Sequence, residues 1–207
     1  MRAPFSFQPN GSSVAVALGL AWGSLAVAQP GPATLPTVDQ QIAAAVLPLP
    51  ADMRAGAAVM GYRTRDKLET LREGKNEMVC LALFAVREDF HVACYHKGME
   101  PFMARGRELR AQGVKGGQVD SVRFAEVKSG KLKMPAQGAL YSLTGKKTSW
   151  DAATGKVTGA SPLGVVYLPF ATAEGTGLSV VPVAKGPWMM FSGTPKAHVM
   201  IVGSMDP

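Results

Sequence analysis

Apolar positions along this chain fall mostly in short runs broken by turn residues, and only a few stretches carry the wider spacing of a helix. Ile42, Ala43 and Val46 recur at helical spacing within Asp39 to Val46, and Pro48 and Pro50 stop the pattern, which predicts one short helix. The runs Ala57 to Tyr62, Leu68 to Leu71, Val79 to Ala85 and Phe90 to Tyr95 predict strands, paired in hairpins, with the charged Arg87-Glu88-Asp89 joining the last two. Phe102, Met103, Gly106 and Leu109 share one helical face, with Arg105, Arg107, Glu108 and Arg110 mainly elsewhere, so a helix runs from Pro101 to Gly113. Over Val119 to Lys128, Asp120 as a cap and Gly130 as a stop predict a second helix, although Val122 and Phe124 also alternate as in a strand. Ala139 to Leu143, Gly164 to Pro169, Leu178 to Val183 and His198 to Val202 predict further strands. The expectation is a single α+β domain over 38–207, an antiparallel or mixed β-sheet with two or three helices.

The N-terminus has a different pattern. Met1-Arg2, a nearly unbroken apolar segment from Val14 to Leu25 and the small-x-small triplet Ala26-Val27-Ala28 form the three parts of a secretory signal over 1–28. The apolar segment is about 15 residues, short of the roughly 20 that span a bilayer. A Pro- and Gly-rich stretch, 29–37, reads as a flexible lead to the domain. The expected location is periplasmic or secreted, with no membrane span once the signal is cleaved.

Charge then narrows the partners a little. The formal net charge is +7, of which the signal carries away only Arg2. A moderate positive balance suits a small anionic molecule or an anionic polymer, and by itself gives no reason to expect nucleic acid.

The candidate chemistry is concentrated between Met78 and Phe102, which holds both cysteines, Cys80 and Cys94, and two of the three histidines, His91 and His96. The cysteines lie on successive predicted strands of an exported chain, so the first expectation is a disulfide between them. A loop of this size would contribute about 3 kcal/mol on the chain-entropy account. The competing expectation makes Cys94 a metal ligand with His91 and His96. Side chains alternate along a strand, so Cys94 and His96 can share a face and His91 cannot without a bulge.

Pro101 disfavours helix at Glu100 and suits the first helical position, which places His96 ahead of the helix and Glu100 at its entrance. A carboxylate there is favoured by the helix dipole. Alternatively Glu100 acts as general base and, with His96 and with His198 from a late strand, forms a two-histidine, one-carboxylate site for a divalent transition metal. Arg107 and Arg110 are candidate ligand-binding residues for a carboxylate or phosphate, against the plainer expectation of a solvated helix face. Tyr141, Trp150, Tyr167 and Trp188 are candidates for lining a groove, and Met189-Met190 for a soft-metal contact near His198. No Gly-x-Ser-x-Gly elbow, His-Glu-x-x-His motif or correctly spaced phosphate loop occurs.

The segments Leu71 to Leu81 and Cys94 to Phe102, followed by Leu140-Tyr141-Ser142-Leu143-Thr144-Gly145 and His198 to Val202, give the chain a resemblance to a group of exported bacterial proteins with paired cysteines and no known activity. That resemblance implies export and paired cysteines and assigns no catalytic residue. Two functions stay open: an exported metal-dependent enzyme built on His96, Glu100 and His198, or a non-catalytic binding or structural module for an anionic partner.

Overall fold

Eight strands form one sheet in the order β2-β1-β3-β4-β5-β6-β8-β7 in a computed structural model that describes residues 34–183 and 186–202. The signal segment 1–28 and most of the 29–37 lead lie outside the described residues. The strands are β1 (Ala58–Thr64), β2 (Lys67–Arg72), β3 (Met78–Leu81), β4 (Asp89–His96), β5 (Gly138–Lys146), β6 (Ser161–Tyr167), β7 (Pro187–Met190) and β8 (His198–Ile201). Among the described residues only β1 and β3 pair in parallel; the other neighbours are antiparallel, so the sheet is mixed. Helices α1 (Val38–Ala45), α3 (Glu100–Ala111) and α4 (Gly117–Lys128) are joined by the single-turn α2 (Ala51–Arg54) and α5 (Ala173–Thr176), completing an α+β architecture.

The strand period separates the two faces. On β4, Phe90, Val92 and Cys94 join a core cluster with Ala44, Ala45 and Leu49 from α1 and the segment after it. On the other face, Tyr95 clusters with Leu81, Met99, Val165 and Tyr167, and α3 adds Met103. Thr37 caps α1 in a reciprocal box: its hydroxyl accepts from Gln40 N–H at 3.2 Å, and its own N–H donates to Gln40 Oε1 at 2.9 Å.

Gln41 is fully buried on α1 and bonds to the edge of the β1–β2 hairpin. Its Nε2 donates to Tyr62 O at 2.7 Å and to Pro36 O at 2.9 Å, while its Oε1 accepts from Tyr62 N–H at 2.8 Å. The side-chain amide thereby completes the backbone pairing where the β1–β2 register shifts between Tyr62 and Thr64. Gly61 makes room for it, since a Cβ there would stand 2.6 Å from Gln41 Oε1.

The structure corrects three expectations. Val79 to Ala85 is a strand only to Leu81 and ends in a 3-10 turn, Leu83–Ala85, that carries Phe84 into the α1-side core. Leu178 to Val183 is not a strand. Ser179 Oγ accepts from Val181 N–H and donates to Val181 O, both at 3.0 Å, and Pro182 has no N–H to pair. The edge strand is instead β7, four residues beginning with a proline, a position an edge strand tolerates. The Val119 to Lys128 region is helical, but its start is Gly117, so Asp120 sits inside the first turn rather than capping it.

Candidate functional site

The cysteines on β3 and β4 stand directly opposite each other, and Cys80–Cys94 is a disulfide. Both residues are completely buried on the α1 side, so the bond crosses neighbouring strands under the core and is not presented to a ligand.

The proposed metal ligands are not gathered. Cross-strand partners run Tyr95 to Leu140 to Val165 to Met200, so β4 and β8 lie three strand spacings apart, roughly 14 Å at about 4.8 Å each. His198 shares a face with Met200, whereas His96, next to Tyr95, leaves the opposite face. His198 is 6 % exposed, with Nδ1 2.7 Å from Lys196 O and its ring between Tyr167 and Phe191 at 5.0 and 5.6 Å. His96 Nδ1 accepts from Gly98 N–H at 3.1 Å, and its Nε2 is 4.0 Å from Glu77. Among the described residues no group of three or more His, Cys, Asp or Glu could hold a metal ion. The alternative set of Cys94 with two histidines fails because Cys94 is in the disulfide and His91 points the other way.

Glu100 stands at the entrance of α3, but as its first helical residue, with φ −54° and ψ −42°, so Pro101 takes the second position rather than the first; the Glu100 carboxylate turns to the groove face. One oxygen accepts from Tyr95 Oη and the other from Arg107 Nη2, while Arg107 Nη1 donates to Tyr95 Oη at 3.0 Å. Burial and the neighbouring carboxylate push the Tyr95 hydroxyl far above the ordinary phenol range, Arg107 opposing them. Burial works against the Arg107 charge, yet the Tyr95 and Glu100 oxygens outweigh it and keep the guanidinium above its ordinary value. Tyr95 and Glu100 therefore occupy part of the Arg107 donor fork and leave other N–H groups for a third party.

Arg107 and Arg110, one turn apart on α3, line a cavity of about 680 Å³ between that helix and the sheet. Its floor is apolar: Leu68 on β2, Leu81 on β3, Ala93 on β4 and Leu140 on β5, with Phe102 and Met103 above. Its rim is basic, with Arg65, Arg87, Arg123 and Lys196 joining the two α3 arginines, and among the described residues Asp66 is the one carboxylate-bearing lining residue. Outside the lining, Asp89 binds Arg87, Glu100 binds Arg107, and Asp120 is shared by Arg123 and Lys196. Among the described residues, six cations thus meet four carboxylates over an apolar surface.

Several rim cations are held by specific partners. Arg123 is 4 % exposed, lies 3.9 Å over the Phe102 ring and donates to Phe102 O at 3.2 Å. Gly106 permits this, because a Cβ there would stand 2.8 Å from Arg123 Nη1. A bidentate Arg105–Glu126 pair at 2.8 to 3.1 Å ties α3 to α4 nearby. Arg110 is exposed and donates to Gly106 O at 3.1 Å, which leaves most of its fork directed at solvent and groove. Burial raises the Tyr62 hydroxyl above its ordinary value, with Arg107 and Arg87 close enough to oppose it, so it is a neutral donor at the rim. His91 lines the same groove with Nδ1 2.8 Å from Thr144 Oγ1, and burial, then Arg87, hold its pKa below the ordinary histidine value.

Of the sequence candidates, Arg107, Arg110 and Tyr167 line the groove, whereas Tyr141 and Trp150 pack into the α1-side core. Met190 pairs with His198 across β7 and β8. Tyr62, Arg65, Arg87 and Lys196 went unpredicted as site residues, and His91 was a candidate only as a metal ligand beside Cys94. A signal for His91 was present, since its offset from Cys94 already placed it on the opposite face. Comparison with protein families, with curated proteins and with solved structures returns no match. Among the described residues no helix is long and apolar enough to cross a membrane.

Proposed function

We propose that this protein is a non-catalytic binding module, working in the periplasm or outside the cell, that takes a small organic anion into the groove beneath α3. The observation that carries this is the pairing of an apolar floor with a basic rim whose key member, Arg107, is pre-positioned by Glu100 and Tyr95. Pre-positioning lowers the ordering cost of binding, because the guanidinium is already fixed when the anion arrives. An exported compartment also suits a structural disulfide.

Head groups compared on one fixed chain test it. Octanoate, octyl sulfate and octyl phosphate are expected to bind by calorimetry, and uncharged octanol at least tenfold more weakly. Arg110→Ala removes an exposed cation with little structural consequence and is expected to weaken octanoate about tenfold, the scale of one charge-assisted hydrogen bond. Arg107→Ala is expected to weaken it further, with circular dichroism reporting whether the Tyr95 and Glu100 network survives. Equal binding of octanol and octanoate, or no effect of Arg110→Ala, would overturn the anion reading.

A further inference from the structure

The groove floor constrains what sort of anion fits, and this step rests on the anion-binding reading above. We infer that the ligand is a single-chain amphiphile of the alkyl-carboxylate class, its head at Arg107 and Arg110 and its chain lying across the strands.

The floor residues Leu68, Leu81, Ala93 and Leu140 come from β2, β3, β4 and β5, which with β1 span five adjacent strands, roughly 19 Å at about 4.8 Å per spacing. A long apolar strip suits a chain better than a compact ion. Sugar hydroxyls laid on the same floor would lose water and gain no partner, which costs free energy for each. Two polar groups at the floor are already engaged: Tyr95 Oη is held by Glu100 and Arg107, and His91 Nδ1 meets Thr144 Oγ1.

The basic side chains set the orientation. Arg110 is exposed and Arg107 half-buried one turn before it, so the charge stays at the edge of the groove where water can still reach the head. The Tyr62 hydroxyl, within electrostatic reach of Arg107, supplies a further neutral donor on the sheet side of the same rim. The cavity volume of about 680 Å³ falls within the roughly 300–1,000 Å³ of small-molecule sites. One alkyl chain fits within such a space, and a two-chain phospholipid exceeds it.

Chain length at fixed head group is the test. The purified chain is titrated by calorimetry at constant ionic strength with hexanoate, octanoate, decanoate and dodecanoate. Affinity is expected to rise roughly fourfold per methylene, the equivalent of about 0.8 kcal/mol for each buried CH₂, until the floor is covered. Ala93→Leu, which adds bulk to the floor, is expected to flatten that slope. Should Ala93→Leu not fold, Leu140→Ala replaces it and is expected to reduce the gain per methylene. Equal affinity for all four acids would overturn the amphiphile inference and leave anion binding standing. Preferential binding to phosphatidylglycerol vesicles over dodecanoate would overturn it in favour of a two-chain lipid. A steep slope that octanol shares would keep the chain and remove the anion reading instead.

Discussion

On β4, Phe90, Val92 and Cys94 point towards α1, while His91, Ala93 and Tyr95 point towards α3. The first set is sealed: all three residues are fully buried, crossed by the disulfide and covered by small residues of α1. The second set lines a groove whose rim carries six cationic side chains: Ala93 and Tyr95 are themselves buried, and His91 is partly exposed. One strand therefore supplies stability from alternate residues and a site from those between them. A close-packed face can anchor the sheet well enough that the opposite face tolerates a cavity and an excess of like charge, both of which cost stability.

The difference can be broken most directly from the sealed side. Phe90→Ala empties a fully buried position beside Phe84, 5.4 Å away between ring centroids, and is expected to cost about 3–5 kcal/mol in urea unfolding. Arg110→Ala on the groove side is expected to change stability by no more than about 0.5 kcal/mol, whatever it does to ligand affinity. Comparable losses from the two would mean that the faces do not divide the work. Next in size is the disulfide. Replacing Cys80 and Cys94 together by alanine is expected to cost about 3 kcal/mol and to leave octanoate affinity unchanged, since neither sulfur reaches the groove. Loss of binding in a folded double variant would show that the two faces are coupled through β4.

The sealed face was legible in the sequence and the open one only in part. Alternation along Phe90 to Tyr95 and two cysteines on neighbouring strands follow from local rules that tertiary structure did not override, as does the glycine just past α3 on the open side. What was lost depends on non-local placement. His96 and His198 looked convergent because histidines are few, yet the sheet order puts β5 and β6 between their strands. Arg65, Arg87 and Lys196 come from three separate turns, and no spacing along the chain announces that they share a rim with α3. Glu100 was correctly placed at a helix entrance, but its partners Tyr95 and Arg107 depend on how α3 lies over β4, which periodicity does not report.

One residue links the faces, and its substitution sharpens the comparison. Gln41 belongs to α1 on the sealed side but bonds both backbone groups of Tyr62, whose side chain enters the groove. Gln41→Leu keeps the volume roughly constant and leaves the part-buried Tyr62 N–H and C=O without these partners, at an expected cost of roughly 2 kcal/mol. Amide hydrogen exchange at Tyr62 should accelerate in the variant, and octanoate affinity should fall as the hydroxyl loses its position. Unchanged exchange at Tyr62 would show that the hairpin does not need this anchor.

The smallest expected effect lies on the open face and has a definite sign. Burial, then the Arg87 charge, disfavour protonation of His91, while Asp89 acts weakly in the other direction, so its folded pKa lies below the ordinary value of about 6.5. As pH falls through about 6.5, the unfolded chain takes up a proton before the folded one does, and unfolding becomes more favourable. His91 thus contributes stability that is complete above the unfolded value and is lost as pH drops towards the folded one. His198, depressed mainly by burial, adds a second contribution of the same sign, so His91→Gln should reduce the slope of stability against pH below 6.5 without abolishing it. Arg87→Ala removes the second of the two causes and is expected to raise the His91 pKa in a proton NMR titration, with His198 unmoved. A His91 resonance that titrates at or above the ordinary value would mean the imidazole is solvated, and the groove floor beneath it more open than its burial implies.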